Sequence, residues 1–379
     1  MNPIAQRATP RNPGSAGFSL AEVMVGMTLG LLGIIVMFQV FAVSEGYRRT
    51  TASGGDSLQA GAVALFTIER EVRQAGFGLN DTTYLGCPVN GSDEGPPART
   101  FSFTLAPVVI AQGAGSAPDT IIVTYGSSGL TAAPVAVTQN MAAPASGFRV
   151  DNRFGFATGD LVVAAEAGRD CSLSEVSGLP AAAGQTDLIL HDPGEYLSGN
   201  GAMTVSRYNR AGSPAPLNVS YTTNAKLINL GSQPRNVVYS VQGGNLAMQS
   251  SIANGALPQP IVEGIVDLQA QYAKDDGVNN GTVTGGVYLA DDGVIDRFDT
   301  APPANAADWA RVLAVRVAVL ARSNMPERAD PATGACTTTT VAPTWAGGTF
   351  DLSGNAEWRC YRYKVLQTTV PVRNIIWKP

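Results

Sequence analysis

Gly17-Phe18-Ser19-Leu20-Ala21-Glu22-Val23-Met24-Val25-Gly26 opens an apolar run that continues to Val43. Phe18 to Val43 is 26 residues long, and Glu22 is its only charged side chain. As a helix rising ~1.5 Å per residue it would extend ~39 Å, more than a ~30 Å hydrocarbon core requires, so the run is long enough to span a bilayer with some tilt. Glu22 is the anomaly. A bare carboxylate at the centre of a membrane helix costs roughly 2.5–3.5 kcal/mol on insertion scales. An acid retained at such a cost asks for a partner.

Cleavage between Gly17 and Phe18 would supply one, because the new amino terminus is a cation within about one helical turn of Glu22. Within one chain the amine leads the helix and the geometry is poor. A neighbouring copy, shifted along the axis, could bring its amine beside this carboxylate. The combination of a short basic leader, Gly17, Phe18-Ser19-Leu20, Glu22 and a following apolar helix resembles the type IV pilin and pseudopilin class. That resemblance implies cleavage after Gly17 by a prepilin peptidase on the cytoplasmic face, N-methylation of Phe18, and insertion of the helix into a filament core. An ordinary secretory signal would place a small-residue cleavage site after the apolar core, and no A-x-A stands just beyond Val43. A generic signal anchor would leave Glu22 unexplained.

The leader, residues 1–17, carries Arg7 and Arg11 and no acid, which keeps the amino terminus cytoplasmic and sends everything beyond Val43 across the membrane. Without it the formal charge moves from -5 to about -7. The 25 basic residues are scattered, so no phosphate-tracking stripe or lipid-binding patch is visible, and nucleic acid is not an expected partner. Gly26 and Gly30 form a G-x-x-x-G pair of the kind that lets helices approach closely in lipid. With 42 Gly, 24 Pro and only 15% charged residues, the composition suits a β-rich extracytoplasmic domain.

Residues 44–78 read as the continuation of the same helix. Leu58, Gly61, Leu65, Ile68, Val72 and Ala75 recur at spacings of three and four, predicting one apolar stripe for a sheet to cover. Ser53-Gly54-Gly55-Asp56 predicts a kink or frayed turn, and Gly76-Phe77-Gly78 a glycine stop. Arg73-Gln74-Ala75-Gly76-Phe77, with Cys87 soon after, is similar to an element of PilW-type minor pilins, which are related to the J pseudopilin of type II secretion.

Residues 79–379 then break into short β-prone runs between Gly, Pro, Asn and Ser, predicting a β-rich headpiece, with residues 85–235 a candidate inserted lobe. Near the carboxyl terminus the alternation is regular. Val266, Leu268, Ala270 and Tyr272 are expected on one face of a strand, as are Leu313, Val315, Val317 and Val319 on another, and Arg359–Leu366 reads as a third. These strands, with Val370-Pro371-Val372-Arg373-Asn374, resemble the carboxyl-terminal half of PilW-type proteins. The expected fold is therefore α+β and type IV pilin-like, a long amino-terminal helix packed on a β-rich headpiece.

Four cysteines, Cys87, Cys171, Cys336 and Cys360, in an exported domain read as two disulfides. Three connectivities are open. Cys336 with Cys360 is the more local pair, which leaves Cys87 with Cys171. Asp275, Asp276, Asp291, Asp292, Asp296 and Asp299 crowd one connection. They read as solvated turns, with Asp291, Asp292, Asp296 and Asp299 the alternative as hard-oxygen ligands for calcium; no other cofactor is expected. The single histidine, His191, stands beside Asp192, but neighbours in a strand face opposite ways and no nucleophile elbow or nucleotide loop is present, so no enzyme activity is expected.

The resemblance implies a non-catalytic minor pilin that primes type IV pilus assembly and sits at or near the filament tip. Its partners would be other minor and major pilins through the helix, the prepilin peptidase, a PilY-type tip adhesin, and the inner membrane before assembly. Its headpiece would lie in the periplasm first and on the extracellular filament afterwards. The alternatives are a J-type pseudopilin of a secretion system, or a membrane-anchored extracytoplasmic binding protein that never polymerises.

Overall fold

A computed structural model describes residues 17–129, 133–210, 219–252, 257–275, 283–284, 287–288, 293–330 and 332–376. A single helix runs from Leu20 to Gln74, 55 residues without interruption. The glycine pair does not break it: backbone helicity continues through Gly54 and Gly55, and the Ser57 hydroxyl donates to the Gly54 carbonyl at 3.1 Å. The chain does divide there into two compact units, Met1–Ser53 and Gly54–Pro379. In the first, the described side chains through Val43 are all exposed, Phe18 by 85%.

In the second unit the helix buries Gly61, Ala64, Ile68, Val72 and Ala75. This corrects the expected stripe: Leu58 is half exposed, Leu65 is only partly buried, and Ala64 takes the central position. Small size is the reason. A Cβ on Gly61 would stand 2.4 Å from Leu366 Cδ1 and 3.4 Å from Ala321 Cβ, so the sheet comes too close for a larger side chain. The helix stops as expected. Gly76 adopts φ 80° and its N–H donates to Thr124 O at 2.9 Å. Its last carbonyls are capped from the far end of the chain, since Asn374 Nδ2 donates to Gln74 O and Ala75 O, each at 3.1 Å.

Two sheets share the core with this helix. One has five antiparallel strands, ordered Gln259–Glu263, Asn245–Ser250, Arg235–Gln242, Thr120–Tyr125, Val108–Ala111. The other has four, ordered Arg297–Asp299, Ile265–Lys274, Val312–Arg322, Tyr363–Pro371. Asp119 stitches the two sheets: its carboxylate accepts from Gly113 N and Ala270 N at 2.8 Å, and its own N–H donates to Leu268 O at 2.7 Å. Tyr272 adds a second link, its hydroxyl accepting from Ile110 N at 2.7 Å. Glu71, buried on the helix, accepts from the Tyr125 hydroxyl at 2.7 Å and fixes the helix on the five-stranded sheet.

Two bulges alter the expected alternation. One lies between Ile265 and Asp267, the other between Ala273 and Lys274. Ile265 rather than Val266 therefore joins the helix-side core, and Val312 rather than Leu313, while Val266 packs on the opposite face with Leu320 and Phe350. The third strand starts at Tyr363, later than expected, because Trp358–Cys360 forms a 3-10 turn.

The segment 85–235 is shared between sheets. Residues 108–111 and 120–125 belong to the five-stranded sheet. A six-stranded sheet takes most of the others, in the order Arg99–Thr104, Pro88–Asp93, Cys171–Glu175, Leu161–Ala165, Lys226–Gly231, Val135–Ala136, and two small ribbons pair Phe148–Arg149 with Leu188–Ile189 and Glu195–Leu197 with Met203–Val205. Its two faces are covered separately, one around Phe148, Ile189 and Tyr221, the other around Leu79, Phe103 and Leu173.

Gly61→Leu should lower stability by about 1–3 kcal/mol, the usual cost of overfilling a packed core. Thermal unfolding monitored by circular dichroism measures it; an unchanged midpoint would show that the helix does not need this close approach.

Candidate functional site

Gly17 and Phe18 precede the helix as extended chain, and Ser19 is its N-cap. Glu22 Oε2 accepts from Ser19 N at 3.0 Å, and Ser19 Oγ accepts from Glu22 N at 3.2 Å. This is a reciprocal capping box, in which each residue satisfies a donor that the first helical turn leaves open. The sequence carries its signature, Ser19-x-x-Glu22. Reading Glu22 only as an unpartnered acid overlooks it. A carboxylate at a helix amino terminus also meets the positive end of the macrodipole.

Beyond the cap, Gly26, Gly30 and Gly33 have nothing within 4 Å of where a Cβ would lie, so together they leave a smooth strip along the helix. Val23, Met24, Met27, Leu31 and Ile34 are all exposed. Leu20–Gln74 is long and apolar enough to cross a membrane.

The other described residues singled out from sequence belong to the unit Gly54–Pro379. Cys87 is bonded to Cys171, with Cα atoms 6.0 Å apart, and Cys336 to Cys360, 4.8 Å apart. The first ties neighbouring parallel strands, in which Val89 is in register with Cys171. Asp299 is engaged by Lys274, whose Nζ is 3.1 Å away, and by Ala301 N at 2.8 Å. The Ala301 N–H, aided by Lys274, holds the Asp299 carboxyl below its ordinary range. Asp296 donates its backbone N–H to Lys274 O at 3.0 Å. Asp276, Asp291 and Asp292 lie outside the described residues. Among the described residues no group of three acidic, His or Cys side chains could hold a metal ion.

His191 is buried, its Nε2 bonded to Ser146 O at 2.9 Å and its ring 5.0 Å from Phe148. Its Nδ1 is buried without a partner. Asp192 does not hydrogen-bond to it; the Asp192 N–H donates to Ser177 Oγ at 2.7 Å. The pair is structural, and burial depresses the imidazole pKa.

Residues 238–374 match the sequence model of PilW, the type IV pilus-assembly protein W. The match spans little more than a third of the chain, its carboxyl-terminal part. The matched region holds the four-stranded sheet, two whole strands and most of a third of the five-stranded one, and Asn374, the residue that caps the long helix. PilW proteins are structural, non-catalytic subunits. A type IV-like pilin from Thermus thermophilus, TTHA1219, is similar with a TM-score of 0.31 and 10% identity, over 84% of this chain and 96% of that one. No curated protein matches the chain.

Because the folded His191 resists protonation, its contribution to stability is complete above the ordinary imidazole value of ~6.5 and is lost as pH falls through it. Asp267, pushed up to about 6 by burial, acts in the opposite sense, gaining protons on folding and stabilising as pH falls. The informative quantity is therefore a difference: His191→Leu should narrow its stability gap to the wild type as pH drops from about 7 to 5. Denaturant unfolding at both pH values checks it, and a gap independent of pH would refute a neutral buried imidazole.

Proposed function

We propose that this protein is a minor pilin of a type IV pilus, a structural subunit that primes assembly and sits at or near the filament tip. The observation that carries the reading is one chain joining a region that matches the PilW model, residues 238–374, to an exposed apolar helix headed by Phe18 and Glu22. The apolar surface of Phe18–Val43 must be covered by something. The inner membrane covers it before assembly, and the helices of other minor and major pilins cover it afterwards.

A prepilin peptidase cuts after Gly17 and frees the Phe18 amine, which is then methylated. The capping box gives Glu22 a first partner inside its own chain, so the acid is satisfied while the subunit waits. In the filament the terminal amine of a neighbour takes over, and a contact between two full charges replaces one to an uncharged amide. The Gly26, Gly30 and Gly33 strip allows the helices to approach. The headpiece, too large to repeat along a tight shaft, occupies the tip, beneath a PilY-type adhesin, after a period in the periplasm.

Mass spectrometry of the mature amino terminus should give a chain beginning at methylated Phe18; an intact leader, or a cut beyond Val43, would end the pilin reading. Glu22→Gln separates the two duties of the acid, because glutamine also serves in a capping box but carries no charge. The variant should be inserted and processed normally, yet its recovery in sheared filaments should fall about tenfold, as expected for loss of a charged contact. Recovery equal to the wild type would show that Glu22 acts as a cap alone.

A further inference from the structure

On the outer face of the four-stranded sheet, away from the helix, lies an open pocket of about 360 Å³. That volume falls in the ~300–1,000 Å³ range of small-molecule sites. The bulge after Ile265 creates its floor by placing Val266 and Asp267 in succession along it. Bulges re-aim side chains, and here the residue re-aimed is an acid. Asp267 is only 3% exposed, and one carboxylate oxygen accepts from Gln269 Nε2 at 3.0 Å.

Arg322 stands on the wall, its guanidinium 4.3 Å above the Tyr361 ring; among the described residues it forms no ion pair. Asp351 lies at the rim, with Ser353 N donating to it at 2.9 Å. Ser116, Asn355 and Tyr363 add hydroxyl and amide groups, and Val266 with Leu352 supplies an apolar wall.

These groups discriminate among ligand classes. An anion drawn to Arg322 would approach Asp267 and Asp351, and a cation drawn to the acids would approach Arg322. In either case one side of the pocket opposes what the other attracts. A neutral ligand whose hydroxyls donate to a carboxylate and accept from a guanidinium uses both signs without bringing a charge out of water. A pyranose also offers an apolar C–H face to Val266 and Leu352. We propose that this pocket is a carbohydrate-binding site for a single neutral pyranose unit. The site lies apart from the amino-terminal helix, so it stands or falls independently of the assembly role.

Burial, with Asp119 and Asp351 nearby, pushes the Asp267 carboxyl up to about 6. At neutral pH it is still ionised and able to accept.

The test uses the full mature protein in a phosphocholine detergent, which has no sugar headgroup. Saturation-transfer NMR and titration calorimetry are run at neutral pH with the methyl glycosides of glucose, galactose, mannose and N-acetylglucosamine. Putrescine and sodium acetate serve as charged probes. At least one glycoside should bind saturably, and Asp267→Asn, Arg322→Met and Asn355→Ala should each weaken it about tenfold or more, the worth of one good hydrogen bond to a charged group. Should Asp267→Asn fail to fold, as judged by its melting curve, the two other variants, nearer the surface, decide the matter. Saturable binding of no glycoside, binding of putrescine or acetate in their place, or glycoside binding that the folded variants leave unchanged would overturn the assignment.

Discussion

The closeness of the helix to the four-stranded sheet at Gly61 governs the globular unit. With no Cβ there, Leu366 and Ala321 reach the helix backbone, and the next turns present Ala64, Ile68, Val72 and Ala75 to the same core. Four fully buried small or branched side chains on a helix could not hold two sheets by area alone. The polar contacts give the arrangement a single register. Glu71 bonds to Tyr125, Asp119 joins both sheets, and Asn374 returns from a strand end to cap Gln74 and Ala75. Each sits where a buried polar group without a partner would cost about 1–3 kcal/mol. A shifted helix would incur several such losses at once.

The Asn374 contact also explains why two recognisable sequence elements stand at opposite ends of the chain. Arg73-Gln74-Ala75-Gly76-Phe77 and Val370-Pro371-Val372-Arg373-Asn374 are 299 and 300 residues apart at the contacting positions, yet one supplies the open carbonyls and the other their donor. The PilW match covers the second element and not the first. The matched region is nevertheless completed by the helix, because its strands Ile265–Lys274 and Val312–Arg322 bury one face against it.

What sequence could disclose depended on the range of the interaction. The helix, its glycine stop and most of the carboxyl-terminal alternation follow from spacings within a few turns or one strand, and those were readable. The exact buried stripe was not, because Ala64 wins over Leu58 only through the nearness of Leu366, three hundred residues away. Bulges at Val266 and near Lys274 were hidden for the same reason, being set by pairing with Val312–Arg322. The glycine pair at 54–55 leaves helicity uninterrupted, because its propensity cost of ~2 kcal/mol is small beside the burial that follows it. At the amino terminus, the spacing Ser19-x-x-Glu22 was fully legible as a cap, and attention to the charge of Glu22 obscured its hydrogen bonding.

That local bond means Glu22 has a partner before any second molecule is present. An acid at the head of a helix with nothing to hold would leave a first-turn amide open as well as its own oxygens. Held by the Ser19 amide, the side chain has a resting contact that is easily exchanged. A helix so equipped carries an internal tether at its head that a donor from a second molecule could replace with an external one.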